Sequence, residues 1–148
     1  RVEIPEEATL ASAIPELGPD EIPSYEVHIQ PIAKRYCVSC HRPGRENNDY
    51  FMTTYQEIME SGENYPNVVA GDINSILLKS IRREEMPGLD PEVGPMPPTK
   101  ALKPELIEIL ERWVMGGAPN TAAEAEALSP TPESSPQAYP YPQPEATP

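Results

Sequence analysis

Cys37, Cys40 and His41 stand in the order C-x-x-C-H, the spacing of a c-type haem attachment site. Each thiol of such a pair adds to one vinyl group of the porphyrin, so the two sulfurs must reach neighbouring ring edges. Two residues between them, wound in a helical turn, set that reach. The residue directly after Cys40 then brings an imidazole beneath the iron, where neutral histidine is a strong ligand. The spacing predicts one covalent haem c, held at Cys37 and Cys40, with His41 as an axial ligand to its iron.

Three other chemistries draw on the same residues. A redox C-x-x-C normally sits beside a βαβ pattern, and no strand alternation is present here. Zinc would take Cys37, Cys40, His41 and His28, but adjacent Cys40-His41 departs from the usual finger spacing. A disulfide across two residues closes a small, strained ring. Haem is the reading the motif favours.

An iron held by His41 needs a partner on its other side, and the chain offers Met52, Met59, Met86, Met96, Met115 and His28. Met59 and Met115 lie on or beside helical stripes, where core packing or exposure is the better reading. Met52, close to Phe51 and Tyr55, reads as local packing, and His28 precedes the motif on the same segment. Met86 and Met96 both fall in a Pro/Gly-rich stretch. Pro97 and Pro98 follow Met96 directly, and their fixed φ stiffens the chain that carries the thioether. Met96 is the leading candidate, Met86 the next, and a vacant sixth position the remaining alternative.

The elements that must position these residues are helical. Tyr25 to Tyr36 carries Val27, Ile29, Ile32 and Tyr36 near helical spacing, with Pro31 either kinking the segment or starting a shorter helix. Thr53 or Thr54 can cap a short helix through Tyr55, Ile58 and Met59, closed by Gly62. Asp72 is an expected N-cap for a helix through Ser80 that buries Ile73, Ile76 and Leu77, with Ile81 a further candidate. The clearest helix starts near Pro104, carries Leu106, Ile107, Ile109, Leu110, Trp113 and Val114 as its apolar stripe, and stops at Gly116-Gly117. Before it lies a long loop, Met86 to Pro98, and loops of that length tend to have a task.

Proline makes up 21 of 148 residues, against a usual ~5%. Much of it falls outside the helices. Residues 1–23 read as an extended acidic arm, and residues 121–148 as a Pro-rich tail in which TAAEAEA has room for a helical turn or two. Ser and Thr beside Pro in that tail permit O-glycosylation. The formal net charge is −13. It divides into −5 over residues 1–23, −4 over 24–120 and −4 over 121–148, so the central segment is only mildly acidic. The balance argues against nucleic acid as a partner, because a phosphate backbone needs a basic face. No run of ~18 apolar residues is present to span a membrane. The chain begins at Arg1 without a charged-then-apolar leader, so the expectation is a processed or trimmed chain whose removed segment was a signal peptide or an anchor.

Residues 24–120 resemble the bacterial class I-type monohaem cytochrome c domains. The matching stretches are Tyr25 to His41, TTYQEIMESG, AGDINSILLKSI and GPMPPTKALKPELIEILERWVMGGAP. The resemblance implies an all-α, cytochrome c-like domain around one covalent haem, with thioether bonds at Cys37 and Cys40, proximal His41 and distal Met96 as iron ligands. It also implies that Trp113 packs near the haem. The flanking arms are similar in style to monohaem subunits of quinol-oxidising assemblies such as alternative complex III.

The expected function is one-electron transfer, with both axial positions filled and the chain not an enzyme by itself. Expected partners are other redox proteins: cytochromes, iron–sulfur proteins or copper proteins. The arms would attach the domain peripherally to a membrane-associated respiratory or photosynthetic complex. Covalent haem is fitted on the outer side of the bacterial inner membrane, so the expected location is periplasmic. The rivals are a freely diffusing carrier, and a haem protein acting on peroxide, nitric oxide or carbon monoxide through a vacant iron position.

Overall fold

A computed structural model describes residues 14–44 and 48–129; the remaining parts of both arms lie outside the described residues. A π-helical turn, Tyr25–Ile29, runs directly into helix α1, Gln30–Tyr36. Helices α2 (Tyr55–Glu60), α3 (Ile76–Ile81), α4 (Pro104–Met115) and α5 (Ala122–Leu128) follow, and no strand occurs among the described residues. The described chain is all-α.

Pro31 explains the π-turn. A proline ring inside an α-helix meets the carbonyl four residues earlier, and it has no N–H to give. The wider turn just before it hands the Ile29 N–H to the Ser24 carbonyl, 3.2 Å, and Pro31 then occupies the first turn of α1. Ser24 caps the start, its Oγ accepting the Val27 N–H at 3.1 Å. In α2 the cap is Thr54, whose hydroxyl accepts from the Glu57 N–H.

Asp72 does not cap α3. Its carboxylate accepts the Asn74 N–H at 2.8 Å and closes a tight turn, so the helix begins only after Ser75. Ile73 is consequently not buried; it stays 40% exposed, while Leu77, Leu78 and Ile81 enter the core. The competing side-chain-to-backbone turn, which Asp favours as strongly as a cap, decides the difference.

The core gathers Ile29 and Ile32 from the first helical segment, Ile58 from α2, Leu78 from α3, and Trp113 and Val114 from α4. Burying such side chains is worth roughly 1.5–3 kcal/mol each. The segment after α4 is a junction. Gly117, at φ +113°, ends the helix, and the Pro119 carbonyl accepts both the Trp113 indole N–H and the Tyr25 backbone N–H, each at 2.9 Å. The Tyr55 hydroxyl reaches the Ala118 carbonyl at 2.8 Å. One turn thereby ties α2, α4 and the start of the π-turn together.

The described parts of the arms lie against this unit. The Arg112 guanidinium bonds the carbonyls of Gly18 and Glu21. Ile22 donates its N–H to Ser129 Oγ and packs on Gly116, where a Cβ would come within 2.6 Å of its Cγ2. Helix α5 starts with a capping box between Thr121 and Glu124 and buries Ala125.

Candidate functional site

The residues after α1 continue as one more helical turn. Cys37 N–H bonds the Ala33 carbonyl at 2.8 Å, and the N–H groups of Cys40 and His41 both return to the Cys37 carbonyl, at 3.1 and 2.9 Å. Residues three and four apart share a helical face, so Cys37, Cys40 and His41 project to one side. All three line a cavity of about 210 Å³. Both sulfurs are free thiols, so no disulfide joins them.

His41 is held at both ends. Its Nδ1 lies 2.8 Å from the Tyr50 carbonyl, which can only accept, so Nδ1 carries the proton and Nε2 keeps its lone pair. Its own carbonyl accepts the Met52 N–H at 2.8 Å. Burial lowers the imidazole pKa, with the Tyr50 hydrogen bond opposing, and favours the neutral ring that ligates metals. Burial pushes the Cys37 thiol up to about 12, with Cys40 adding to the shift. Reactive redox cysteines show the opposite displacement.

The other walls come from α3 and the loop before α4. Ile76, Leu77, Ser80 and Ile81 contribute from α3, and Val93, Gly94, Met96, Pro97 and Pro98 from the loop, with Leu102 beyond it. The structure therefore brings Cys37, Cys40, His41 and Met96 to one cavity. Met86 does not line it, and Met115 is 47% exposed. Met52 lines it as well, and it is buried in the core, in keeping with the packing its neighbours suggest. Met52 is bonded to His41 through the backbone, so it belongs to the wall that His41 itself occupies.

Two residues fall elsewhere. Trp113 is fully buried but does not line the cavity; its indole meets Tyr55 edge-on at 6.4 Å and donates to Pro119, so it serves the core junction. His28 lines a separate groove between residues 15–24 and α5, which leaves it remote from both the zinc set and the sixth-ligand role. Among the described residues no group of three or more His, Cys, Asp or Glu side chains is placed to hold a metal ion. A ligand set completed by Met96 is of a different kind, an imidazole and a thioether.

Asn48, Asn64 and Asn67 also line the cavity, and nothing in their spacing announced it. Compared with known protein families, curated proteins and solved structures, the chain matches none.

Proposed function

We propose that this chain is a cytochrome c-like domain that binds one haem c covalently and passes single electrons. One observation carries the reading: the C-x-x-C-H residues and Met96, far apart in sequence, line the same largely apolar cavity. The donor set fits the group. The thiols of Cys37 and Cys40, on one helical turn, would bond to the two vinyl groups, and the His41 imidazole, with its Nε2 free, and the Met96 thioether would hold the iron. When bound, haem supplies a one-electron couple.

The chain's own residues then have distinct tasks. Cys37 and Cys40 anchor the ring, and the Tyr50 carbonyl fixes the His41 imidazole in one tautomer. Leu77, Ile81 and Leu102 keep water from the cavity, and a dry pocket favours a higher potential. Met96 would hold the iron of a bound haem together with His41, and a haem held by both residues would pass electrons rather than bind substrate. The proposed setting is extracytoplasmic, with redox proteins as partners and the arms joining a membrane-associated complex.

The test is expression in a host that matures c-type cytochromes, followed by intact mass and absorption spectra. The expected result is a covalent adduct of one haem and a weak far-red sulfur-to-iron band in the oxidised protein, lost in Met96→Ala. A chain that leaves this host with the mass of the bare polypeptide refutes the proposal. Ready binding of carbon monoxide by the reduced wild type refutes the carrier function while leaving haem attachment intact.

A further inference from the structure

From Pro91 to Pro98, four of eight residues are proline and lack an N–H, so this loop has few donors with which to hold itself together. Its carbonyls are bonded from outside. Asn64 Nδ2 donates to the Pro91 carbonyl at 2.9 Å and Asn48 Nδ2 to that of Glu92 at 3.0 Å. Ser80 Oγ donates to Gly94 at 2.7 Å. Arg83 donates through Nη1 to Pro97 at 2.8 Å and through Nη2 to Pro98 at 3.2 Å. In the other direction, the Met96 N–H donates to the Ser80 carbonyl at 3.1 Å.

Arg83 stands out by its backbone. Helices α3 and α4 end in the same hydrogen-bond pattern. In α4 the Gly117 N–H bonds Val114 and the Ala118 N–H bonds Trp113; in α3 the Arg83 N–H bonds Ser80 and the Glu84 N–H bonds Lys79. The left-handed position in this motif suits glycine, and α4 places Gly117 there. In α3 it is Arg83, at φ +64°, where a side chain is disfavoured. Asn48, the other side chain bonded to this loop from a left-handed residue, has φ +59°. Backbone strain of this kind persists where surrounding contacts hold it in place, as the bonds of Arg83 to Pro97 and Pro98 do here.

We propose that Arg83 is a positioning residue: its guanidinium grips the two prolines after Met96 and so holds the thioether in the cavity. The inference rests on the haem reading above. A planar fork can take both carbonyls at once, which an ammonium on a flexible stem does less well.

The discriminating variant is Arg83→Gly in the haem-loaded full chain. Glycine relieves the left-handed backbone, so the thermal midpoint should hold or rise and the covalent haem content should stay the same. The far-red band of the oxidised protein should weaken, and carbon monoxide should bind the reduced form roughly tenfold faster, the scale of a lost charge-assisted hydrogen bond at an exposed site. Arg83→Lys should fall between the two. A far-red band and carbon monoxide rate equal to wild type in Arg83→Gly overturn the inference, as does a lowered midpoint with both signals unchanged. A wild type with covalent haem but no far-red band removes Met96 as the ligand and the inference with it. A wild type without covalent haem overturns the haem reading itself.

Discussion

Replacing Tyr50 by Phe removes one oxygen from the wall of the cavity without changing its shape. That hydroxyl donates to the Ile58 carbonyl at 2.7 Å, and Tyr50 is almost wholly buried. The Ile58 carbonyl belongs to the last turn of α2, where helix carbonyls lack partners within the helix. Leaving a buried acceptor unpaired costs about 1–3 kcal/mol, and a middle value of about 1.5 kcal/mol is expected here. At about 4–6 °C per kcal/mol for a unit near 100 residues, the melting point of the haem-loaded protein should fall by ~6–9 °C. The pH dependence gives a second check. Burial, with Cys37 a lesser cause, holds the Tyr50 pKa well above its ordinary value. Once Cys37 is a thioether only burial remains. A folded pKa raised above the unfolded one contributes stability that is whole below about pH 10 and declines as the unfolded tyrosine ionises. The difference in melting point between wild type and Tyr50→Phe should therefore be flat from pH 6 to 9 and narrow above about pH 10. Tyr25 and Tyr55, also raised, are common to both proteins and cancel in the difference. The haem spectrum should not change, because His41 is held by the Tyr50 main chain. Thermal melts followed by circular dichroism across that range decide it. Equal melting points at neutral pH, or a gap that widens above pH 10, refute the reasoning.

Gly116→Ala drives a methyl into Ile22, a stiff β-branched side chain. It should cost about 1–2 kcal/mol and speed proteolysis within residues 14–23, as read by fragment mass. Thr121→Ala dismantles the capping box of α5 and should cost about 1 kcal/mol there. Hydrogen exchange should quicken over Ala122–Leu128 while the haem band stays in place. The double change Cys37→Ala, Cys40→Ala should leave a poorly folded chain with a weak helical signal in circular dichroism. On the haem reading, the cavity they line would then lack the porphyrin, whose buried apolar surface would help hold α3 and the Met96 loop against the His41 segment.

What the sequence made legible was local. The cap at Thr54, the start at Pro104, the stop at Gly116-Gly117 and the face shared by Cys37, Cys40 and His41 follow from rules that act over one or two helical turns. The place of Met96 in the cavity wall was legible for a different reason: Pro97 and Pro98 stiffen the loop that carries it, just before the last long helix. Asp72 misled because a carboxylate can cap a helix or close a turn, and here it accepts the Asn74 N–H while Ser75 Oγ donates to the Asp72 carbonyl, so the turn wins. Trp113 was assigned to the haem by resemblance, yet its indole N–H needs an acceptor when buried and finds it at Pro119, on the junction side. Asn48 and Asn64 were invisible because their partners are main-chain carbonyls 44 and 27 residues away, and no spacing rule reaches that far.

The abundance of proline connects these observations. Each proline keeps a carbonyl and loses a donor, so a chain with 21 of them is short of N–H groups wherever they cluster. Arginine supplies the deficit in two places. Arg112 bonds carbonyls of the arm around Pro19, and Arg83 bonds those of Pro97 and Pro98. Arg42 likewise turns back on the Ser39 carbonyl, and Arg82 pairs with Glu84 and Glu111. Four cations of the central segment are thus turned to hydrogen bonds and ion pairs within the fold. Charges engaged in this way hold loops and helix ends, so the net charge of that segment gives no measure of its exposed face. Removing an arginine here should change the order of a loop before it changes long-range steering, which falls away within about 8 Å in physiological salt.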